Sequence, residues 1–237
     1  MPVPPAPSTS YFGRLRQDGE SQAKLSTAHY VAHHFGGDTS FFIGAGTAAA
    51  MAGIELLARR KHHVRLRTHL APLAWHVMHL VQAGLLPADL SLTLCSGDVN
   101  LNTGVIGHRS ITADAEDILI YSPHGIGLSG VSANRDVETT LSTWKAHQRV
   151  ILVATHFTFL RPTATLIRSD GKLKGRDLKE RKHVYDLVVP SQVPQELDKE
   201  ERAKVQQRLE YCQEEWGFTI HRSPAPPKDM LSRQILI

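Results

Sequence analysis

The segment Phe41–Arg60 combines a short apolar run, a glycine-spaced turn and an alanine-rich stretch. The two glycines of the turn let the backbone approach a ligand closely, and Thr47 adds a hydroxyl group. A helix that begins at this point presents unpaired amide groups and the positive end of its dipole, which together attract phosphate or carboxylate. The alternative is an ordinary tight turn between packed elements. The predicted anion site consists of Gly44, Ala45, Gly46, Thr47 and Ala48.

Hydroxyl, imidazole and glycine residues recur where other predicted strands end. Open parallel sheets bind ligands outside the carboxyl ends of their strands. This composition suits a polyhydroxylated ligand with one phosphate, because hydroxyls and amides pair with sugar oxygens. Structural interpretations also exist: Thr68 caps a helix, Thr103 lies in a turn and His124 is a solvated imidazole. The predicted lining comprises Thr68, His69, Gly97, Asp98, Thr103, His124, Gly125 and Thr158.

The fourteen histidines raise the question of a metal site. His76 and His79 are close together on a predicted helix, yet no acidic residue stands at a matching offset and no zinc-protease motif occurs. Cys95 and Cys212 form no disulfide or zinc pattern. No elbow motif marks a nucleophilic serine. We therefore predict that the site uses no metal and no cofactor.

Apolar strand-like runs alternate with helical periodicity along the chain. This alternation predicts an α/β fold with a mostly parallel, Rossmann-like sheet and helices on both faces. The predicted strands are Ser40–Ile43, Val64–Thr68, Ser91–Cys95, Asp117–Tyr121, Arg149–Ala154, Val184–Val189 and Phe218–His221. The predicted helices are Gln22–Phe35, Ala48–Arg60, Leu73–Ala83, Val137–His147 and Pro194–Trp216, and Ser122–Asn134 is predicted to be a loop.

The totals are those of an ordinary globular protein, with 237 residues, 41% of them hydrophobic and 21% charged. We expect one domain over residues 21–224, a flexible proline-rich lead at 1–20 and a tail at 225–237. No apolar run approaches the roughly 18 residues that span a bilayer. Since no secretion signal is visible either, we expect a cytoplasmic protein without a membrane partner.

Part of the net charge of +4 comes from a basic run, Arg168–Lys182. Such a run can contact nucleic acid, but a solvated loop and helix face is the favoured interpretation. The sequence contains no zinc finger, RNA-recognition signature or DNA-reading helix pair. We therefore expect no direct DNA binding without a partner protein.

The order of these motifs resembles the C-terminal sensor domain of DeoR-type sugar-responsive repressors, within the ribose-5-phosphate isomerase-like superfamily. The similarity runs from about Ala23 to Arg222. It rests on the turn that follows Phe41, on the loop Ser96–Asp98, on Thr103–Gly107 and on Thr155–Phe159. The resemblance implies the fold of the isomerases and sensors, an effector site for a phosphorylated sugar, and a homo-oligomer.

The chain departs from the family at several positions. The repressors carry an N-terminal winged helix-turn-helix, whereas about twenty residues precede the similarity in this sequence. Thr158 and Ser142 stand where the family has lysines, and Gly44 replaces the aspartate that opens its phosphate loop. In the related isomerases a glutamate removes the proton next to the carbonyl, and Glu138 matches that base. The loop that should support it, Ser122–Gly127, has no carboxylate.

Three functions remain open. The favoured one is a stand-alone sensor-like domain that binds a phosphorylated sugar or a related small phosphorylated metabolite and regulates transcription through a partner. Glu138 would then accept hydrogen bonds from ligand hydroxyls. The alternative is a sugar-phosphate isomerase or lyase in which Glu138, His124 or His156 acts as acid or base. The third is a structural partner in an assembly, with Pro194–Trp216 packed on the sheet.

Overall fold

The computed structural model describes most of the predicted domain. Its described residues are 20–36, 40–59, 64–95, 98–99, 106, 118–128, 130–132, 149–161 and 184–227. The predicted helix Val137–His147 lies outside them, as do three of the predicted site residues, Gly97, Thr103 and Glu138.

Helices and strands alternate along these ranges. The helices are α1 (Ser21–His34), α2 (Thr47–Ala58), α3 (Ala71–Gln82) and α4 (Lys199–Glu214), with a 3-10 helix at His156–Phe159. The strands are β1 (Ser40–Ile43), β2 (Arg65–Thr68), β3 (Ser91–Leu94), β4 (Ile118–Tyr121), β5 (Gly125–Gly127), β6 (Gly130–Ser132), β7 (Arg149–Val153), β8 (Val184–Pro190) and β9 (Thr219–Ser223).

Seven strands form one sheet in the order β3-β2-β1-β4-β7-β8-β9, and every pairing in it is parallel. Phe41 of β1 lies beside Leu66 on one side and Ile118 on the other. The strand order reverses between β1 and β4, so the loops after these two strands flank the switch point where such sheets bind ligands. The predicted α/β, Rossmann-like fold is therefore confirmed.

The two faces of the sheet are covered by different helices. Phe41 and Ile43 belong to a buried cluster with α1, α2 and α3, whereas Phe42 and Leu119 belong to a second cluster with α4. Alternate residues of a strand point to opposite faces, so a strand buried on both faces reads as a continuous apolar run. This is why β1 and β4 could be recognised in the sequence.

The predicted loop Ser122–Asn134 contains a hairpin instead, formed by the antiparallel strands β5 and β6. Its two apolar side chains, Ile126 and Val131, are fully buried in the α4 cluster. Arg208 of α4 donates a hydrogen bond to the Ile126 carbonyl at 3.1 Å. Tertiary packing stabilises this glycine-rich hairpin, and the local sequence carries little sign of it.

The last predicted helix, Pro194–Trp216, begins later than expected, at Lys199. A capping box sets this start. The Glu201 amide donates to the Asp198 carboxylate at 2.8 Å, and the Asp198 amide donates to the Glu201 carboxylate at 3.1 Å. Val205 and Leu209 are on its buried face. The helix packs on the sheet with one face, as the sequence predicts.

A buried polar network joins three strands to α1. The Asp186 carboxylate accepts hydrogen bonds from Arg149 Nε at 3.0 Å and from His221 Nε2 at 2.8 Å. Burial, and then the Asp186 charge, raise the pKa of Tyr30, whose hydroxyl lies 3.2 Å from His221 Nδ1. A neutral imidazole with its proton on Nε2, facing Asp186, can accept a hydrogen bond from this hydroxyl at Nδ1.

Replacing Asp186 by Ala should lower the free energy of unfolding by about 3 kcal/mol, because Arg149 and His221 both lose a buried anionic partner. Asp198→Ala is the control, since it removes an exposed helix cap and should cost about 1 kcal/mol. Urea unfolding of both variants measures the difference. Equal losses would contradict the network's role.

Candidate functional site

The predicted anion site lies at the N-terminus of α2. Gly46 is the residue before the helix, with φ 108° and ψ 146°. Within the described part of the chain, no side chain caps this end of the helix. The first intrahelical bond runs from the Ala50 amide to the Gly46 carbonyl at 3.1 Å. The amides before Ala50 therefore have no intrahelical acceptor. Thr47, the first residue of the helix, is partly exposed.

The β4 loop packs tightly against this turn. A Cβ atom at Gly46 would lie 2.4 Å from Ser122 Cβ and 2.6 Å from its carbonyl oxygen. A Cβ atom at Gly44 would lie 3.0 Å from the Tyr121 ring. Packing thus requires glycine at both positions. This requirement is compatible with both interpretations of the turn, as an anion site and as a tight turn between packed elements.

One hydrogen bond joins the loops on the two sides of the switch point. The Ser122 amide donates to the Ala45 carbonyl at 3.0 Å. A ligand therefore cannot pass between these loops at that level. Gly46, Thr47 and Ser122 all keep partial exposure, so solvent reaches the first residue of α2, which we call the mouth of this helix. A partly exposed helix start suits a compact anionic group.

Thr68 and His69 lie at the neighbouring end of β2. The Thr68 hydroxyl donates to the Ile43 carbonyl at 2.8 Å and accepts from the Leu70 amide at 3.0 Å. It is fully buried and ties β1 to the start of α3. His69 is 1% exposed, with its ring 5.5 Å from that of Phe42. Both residues are thus buried beside β1, and the Thr68 hydroxyl is engaged by the protein itself.

A second polar group lies after β7. Thr158 accepts a hydrogen bond from the Thr155 amide at 3.1 Å in a capping box, so its hydroxyl is engaged within the protein. The Thr155 hydroxyl and the Arg161 guanidinium both donate to the buried carboxylate of Glu20. This arrangement places a guanidinium, one third exposed, at the carboxyl edge of the sheet.

His124 belongs to the same electrostatic environment. Burial, and then the nearby Arg161, lower its pKa, and Glu20 opposes them. The side chain is exposed and carries a neutral imidazole near pH 7. Gly125 is buried behind it, where a Cβ atom would lie 2.9 Å from Ser132 Oγ.

Because the sheet is parallel, the described candidates all lie at one edge. Asp98, which is exposed, follows β3. The other candidates follow β1, β2, β4 and β7, which lie side by side, and they are Gly44, Ala45, Gly46, Thr47, Ala48, Thr68, His69, His124, Gly125 and Thr158.

Sequence reasoning missed Glu20, Ser122 and Arg161. Arg161 comes three residues after Thr158, where the DeoR-type family has a lysine. The presence of a cationic residue so close to Thr158 in the sequence could have indicated Arg161 as a site residue. Glu20 fell in the predicted lead and carried no signal, because its partners are Thr155 and Arg161, far along the chain. Ser122 became visible only through the contact with Gly46.

A separate cleft of about 970 Å³ opens beyond the ends of β8 and β9. Its described lining contains carboxylates, amides, prolines and an aromatic ring, but no Lys, Arg or His. The described lining would offer a phosphate no cationic side chain, and the carboxylates of Glu20 and Glu196 would repel it. Its chemistry therefore differs from that of the α2 mouth, which remains the anion-site candidate. Representative lining residues are Glu20, Phe157, Gln192, Glu196 and Ser223.

Within the described ranges, no cluster of three or more His, Cys, Asp or Glu side chains is arranged to hold a metal ion. In the same ranges, no helix combines the length and apolarity that a membrane crossing requires. No protein-family model matches this chain, and no curated protein is significantly similar to it. The DeoR-type resemblance therefore rests on the motifs and stays a prediction.

His156, three residues after the end of β7 and the first residue of the 3-10 helix, is 1% exposed. Among the described residues neither of its ring nitrogens has a hydrogen-bond partner. Burial, assisted by the charge of Arg222, lowers its pKa from 6.5 to about 4. The folded protein therefore holds a neutral imidazole at this position near pH 7.

This shift predicts a loss of stability in acid. Between pH 6.5 and pH 4 the unfolded chain binds the proton more readily than the folded one, so the free energy of unfolding falls as the pH falls. His156→Gln should remove up to about 3 kcal/mol of that fall, measured by urea unfolding across this range. His33→Gln, at an exposed position, should leave the profile unchanged. Parallel profiles for wild type and His156→Gln would contradict the assignment.

Proposed function

We propose that this chain is a sensor-like domain that binds a small phosphorylated metabolite, with sugar phosphates as the substrate class to test first. The observation that carries the proposal is the uncapped N-terminus of α2, placed behind the Gly44–Thr47 turn at the switch point of a parallel sheet. The motif order shared with DeoR-type sensors supports the choice of a sugar phosphate.

The phosphate would bind above the joined loops. The amides at the start of α2 would donate to its oxygens, and the helix dipole would favour its negative charge by about 0.3–1 kcal/mol. Thr47 and Ser122, both partly exposed residues of this turn and the β4 loop, could add hydroxyl groups to the site. This geometry fits a terminal phosphate group, whose oxygens can accept several hydrogen bonds at once.

The rest of the ligand would extend toward β4 and β7. The neutral imidazole of His124 can both donate to and accept from sugar hydroxyls. Arg161 supplies positive charge beside it, and its guanidinium has more N–H groups than its bond to Glu20 uses. This cation would take the part that lysine plays near Thr158 in the DeoR-type family.

The joined loops favour a compact ligand over a dinucleotide. A dinucleotide in a Rossmann-like fold lies across the crevice at the switch point. The hydrogen bond between Ala45 and Ser122 closes that passage. A monophosphate ester, which needs only the partly exposed helix start at Thr47, is compatible with the same geometry.

Binding is favoured over isomerisation because Thr158 and Ser142 stand where the DeoR-type family has lysines. The lowered pKa values of His124 and His156 keep both imidazoles neutral near pH 7, so each could accept a proton but neither is a ready proton donor. The Glu20 carboxylate, the buried one at this edge among the described residues, already accepts hydrogen bonds from Thr155 and Arg161, so it is not placed to act as a base. The alternative remains an isomerase that uses Glu138, and wash-in of solvent deuterium next to the substrate carbonyl would reveal it.

A sugar phosphate at about 100 times its Kd should raise the melting temperature by about 5–10 °C, while the unphosphorylated sugar should have no effect. The experiment screens pentose and hexose phosphates by thermal shift. Thr47→Glu should abolish the gain, because its carboxylate repels the phosphate. The same carboxylate is favourable for the helix N-terminus, so the fold should be kept or slightly stabilised.

A second pair of variants compares two glycines with positive φ, one in the proposed site and one outside it as the control. Gly46→Ala should abolish the gain, because the new Cβ collides with Ser122. Gly84→Ala should retain it, because Gly84 has φ 71° and open space around it. A gain that survives in Thr47→Glu, or one that the unphosphorylated sugar also produces, would overturn the proposal.

A further inference from the structure

The cleft beyond the ends of β8 and β9 has the size of a ligand site. Its volume of about 970 Å³ lies at the upper end of the range for small-molecule pockets, roughly 300–1,000 Å³. Four separate parts of the chain form its described walls: the start of α1, the 3-10 helix, the segment between β8 and α4, and the chain after β9. The cleft therefore lies at the carboxyl edge of the sheet, where parallel sheets bind ligands.

Hydrogen bonds hold these walls in place. The Ser26 hydroxyl of α1 donates to the Pro224 carbonyl at 2.7 Å, which ties the helix to the chain after β9. Arg202 of α4 donates from Nε to the Leu197 carbonyl at 2.8 Å. Leu197 is itself buried, so the segment that precedes α4 is anchored at this point. The cleft is thus preformed, as small-molecule sites usually are.

The described lining carries negative charge, although the chain as a whole is positive. Glu20 and Glu196 contribute carboxylates, and the described lining contains no Lys, Arg or His. Arg161 lies outside this lining and compensates part of the Glu20 charge through its hydrogen bond. Glu196 is exposed. A cation is therefore the charged ligand group that these residues attract, whereas an anion would be repelled.

The lining is also biased toward hydrogen-bond acceptors. Its prolines each have a carbonyl group but no N–H, and ionised carboxylates only accept hydrogen bonds. The glutamine side chains supply both donors and acceptors. An ammonium or guanidinium group brings donors and has no acceptor to satisfy, so it complements this lining. The prolines are Pro190, Pro194 and Pro226, and the glutamines are Gln22, Gln192 and Gln195.

The start of α1 does not reverse this preference. A helix N-terminus favours an anion. Glu20, the residue before α1, places its own buried carboxylate at this end of the helix. The protein thus supplies a negative charge there itself, and the helix start does not require an anionic ligand.

Apolar side chains line the same cleft. The partly exposed ring of Phe157 is one of them, and an aromatic face attracts a cation within about 6 Å of its centre. Val193, also in the lining, is 44% exposed. Together with the prolines, these side chains suit the methylene groups of a ligand. The complementary ligand therefore combines a cationic group with an alkyl chain.

We propose that this cleft binds a small organic cation, an amine or a guanidine carried on an alkyl chain. The charged group would pair with the carboxylates of Glu196 and Glu20, and the chain would pack on Phe157 and Val193. The proposal does not depend on the phosphate site, because the described lining includes none of the residues at the mouth of α2.

Titration of the full chain with agmatine, followed by ¹⁵N-resolved NMR, tests the proposal. Agmatine carries an amine and a guanidinium group on a four-carbon chain, and about 150 mM salt screens loose pairing at the surface. Saturable shifts of the Gln192, Val193 and Gln195 amides are expected, with a Kd of about 1 mM or lower. Hexanoate, an anion of similar length, should leave these signals in place.

Two tryptophan variants test the location of the site. Ala225→Trp should abolish saturation, because the indole would occupy the cleft that Ala225 lines. Ala203→Trp is the matched control, since Ala203 is exposed on α4 and outside the described lining. Ala225 is exposed as well. Both variants should therefore keep the fold, which circular dichroism melts verify.

Two charge-reversal variants test the selection of a cation. Glu196→Lys should raise the Kd for agmatine about 3- to 10-fold, as expected when an exposed attraction becomes a repulsion. Glu215→Lys makes the same change of charge beyond the far end of α4. The sixteen residues of this helix separate the two positions by about 24 Å. The control should leave the Kd unchanged.

Saturable shifts that Ala225→Trp abolishes and Glu196→Lys weakens, with both controls like wild type, support the cation site. The absence of saturable shifts at about 20 mM agmatine overturns the proposal. Shifts confined to another surface, or binding that persists in Ala225→Trp, also overturn it. Equal binding of hexanoate, an unchanged Kd in Glu196→Lys, or an equal loss in either control has the same consequence.

Discussion

The close contact between the β1 turn and the β4 loop is the constraint on which the rest of this structure depends. Only glycine fits at position 46 against Ser122, and the Ser122 amide holds the Ala45 carbonyl. This contact fixes the turn from which α2 begins, with Thr47 partly exposed at the first position of the helix. It also closes the passage between the loops. The same geometry underlies the anion site that we propose and the choice of a small ligand for it.

The charged and titratable side chains at the carboxyl edge of the sheet are concentrated near β4 and β7 in the described part of the chain. Near β4 and β7, Arg161 and its partner Glu20 surround a neutral His124. Burial keeps His156 neutral as well. Among the described residues, this region combines hydrogen-bonding groups with one partly exposed guanidinium, that of Arg161. Such a set can recognise a hydroxylated anion, which is the binding that we propose.

The sequence was informative where local chemistry and tertiary packing agree. The strands β1, β4 and β7 are continuous apolar runs because both of their faces are buried. The two glycines of Gly44–Thr47 predict the turn between β1 and α2. The sequence was uninformative where contacts between residues far apart in the chain determine the local structure. The β5–β6 hairpin depends on Arg208 and the α4 cluster, and the role of Glu20 depends on residues more than a hundred positions away. Thr68 has the residue type of a ligand contact, yet its hydroxyl satisfies two backbone groups.

The most direct test of the central claim follows the backbone amides at the mouth of α2 by ¹⁵N-resolved NMR during titration with a sugar phosphate. The account predicts saturable downfield shifts of the Thr47, Ala48 and Ala49 amide protons, as expected for new hydrogen bonds to phosphate oxygens. The unphosphorylated sugar should leave these signals in place. Unmoved amides at Thr47–Ala49, with shifts confined to residues of another surface, would contradict it.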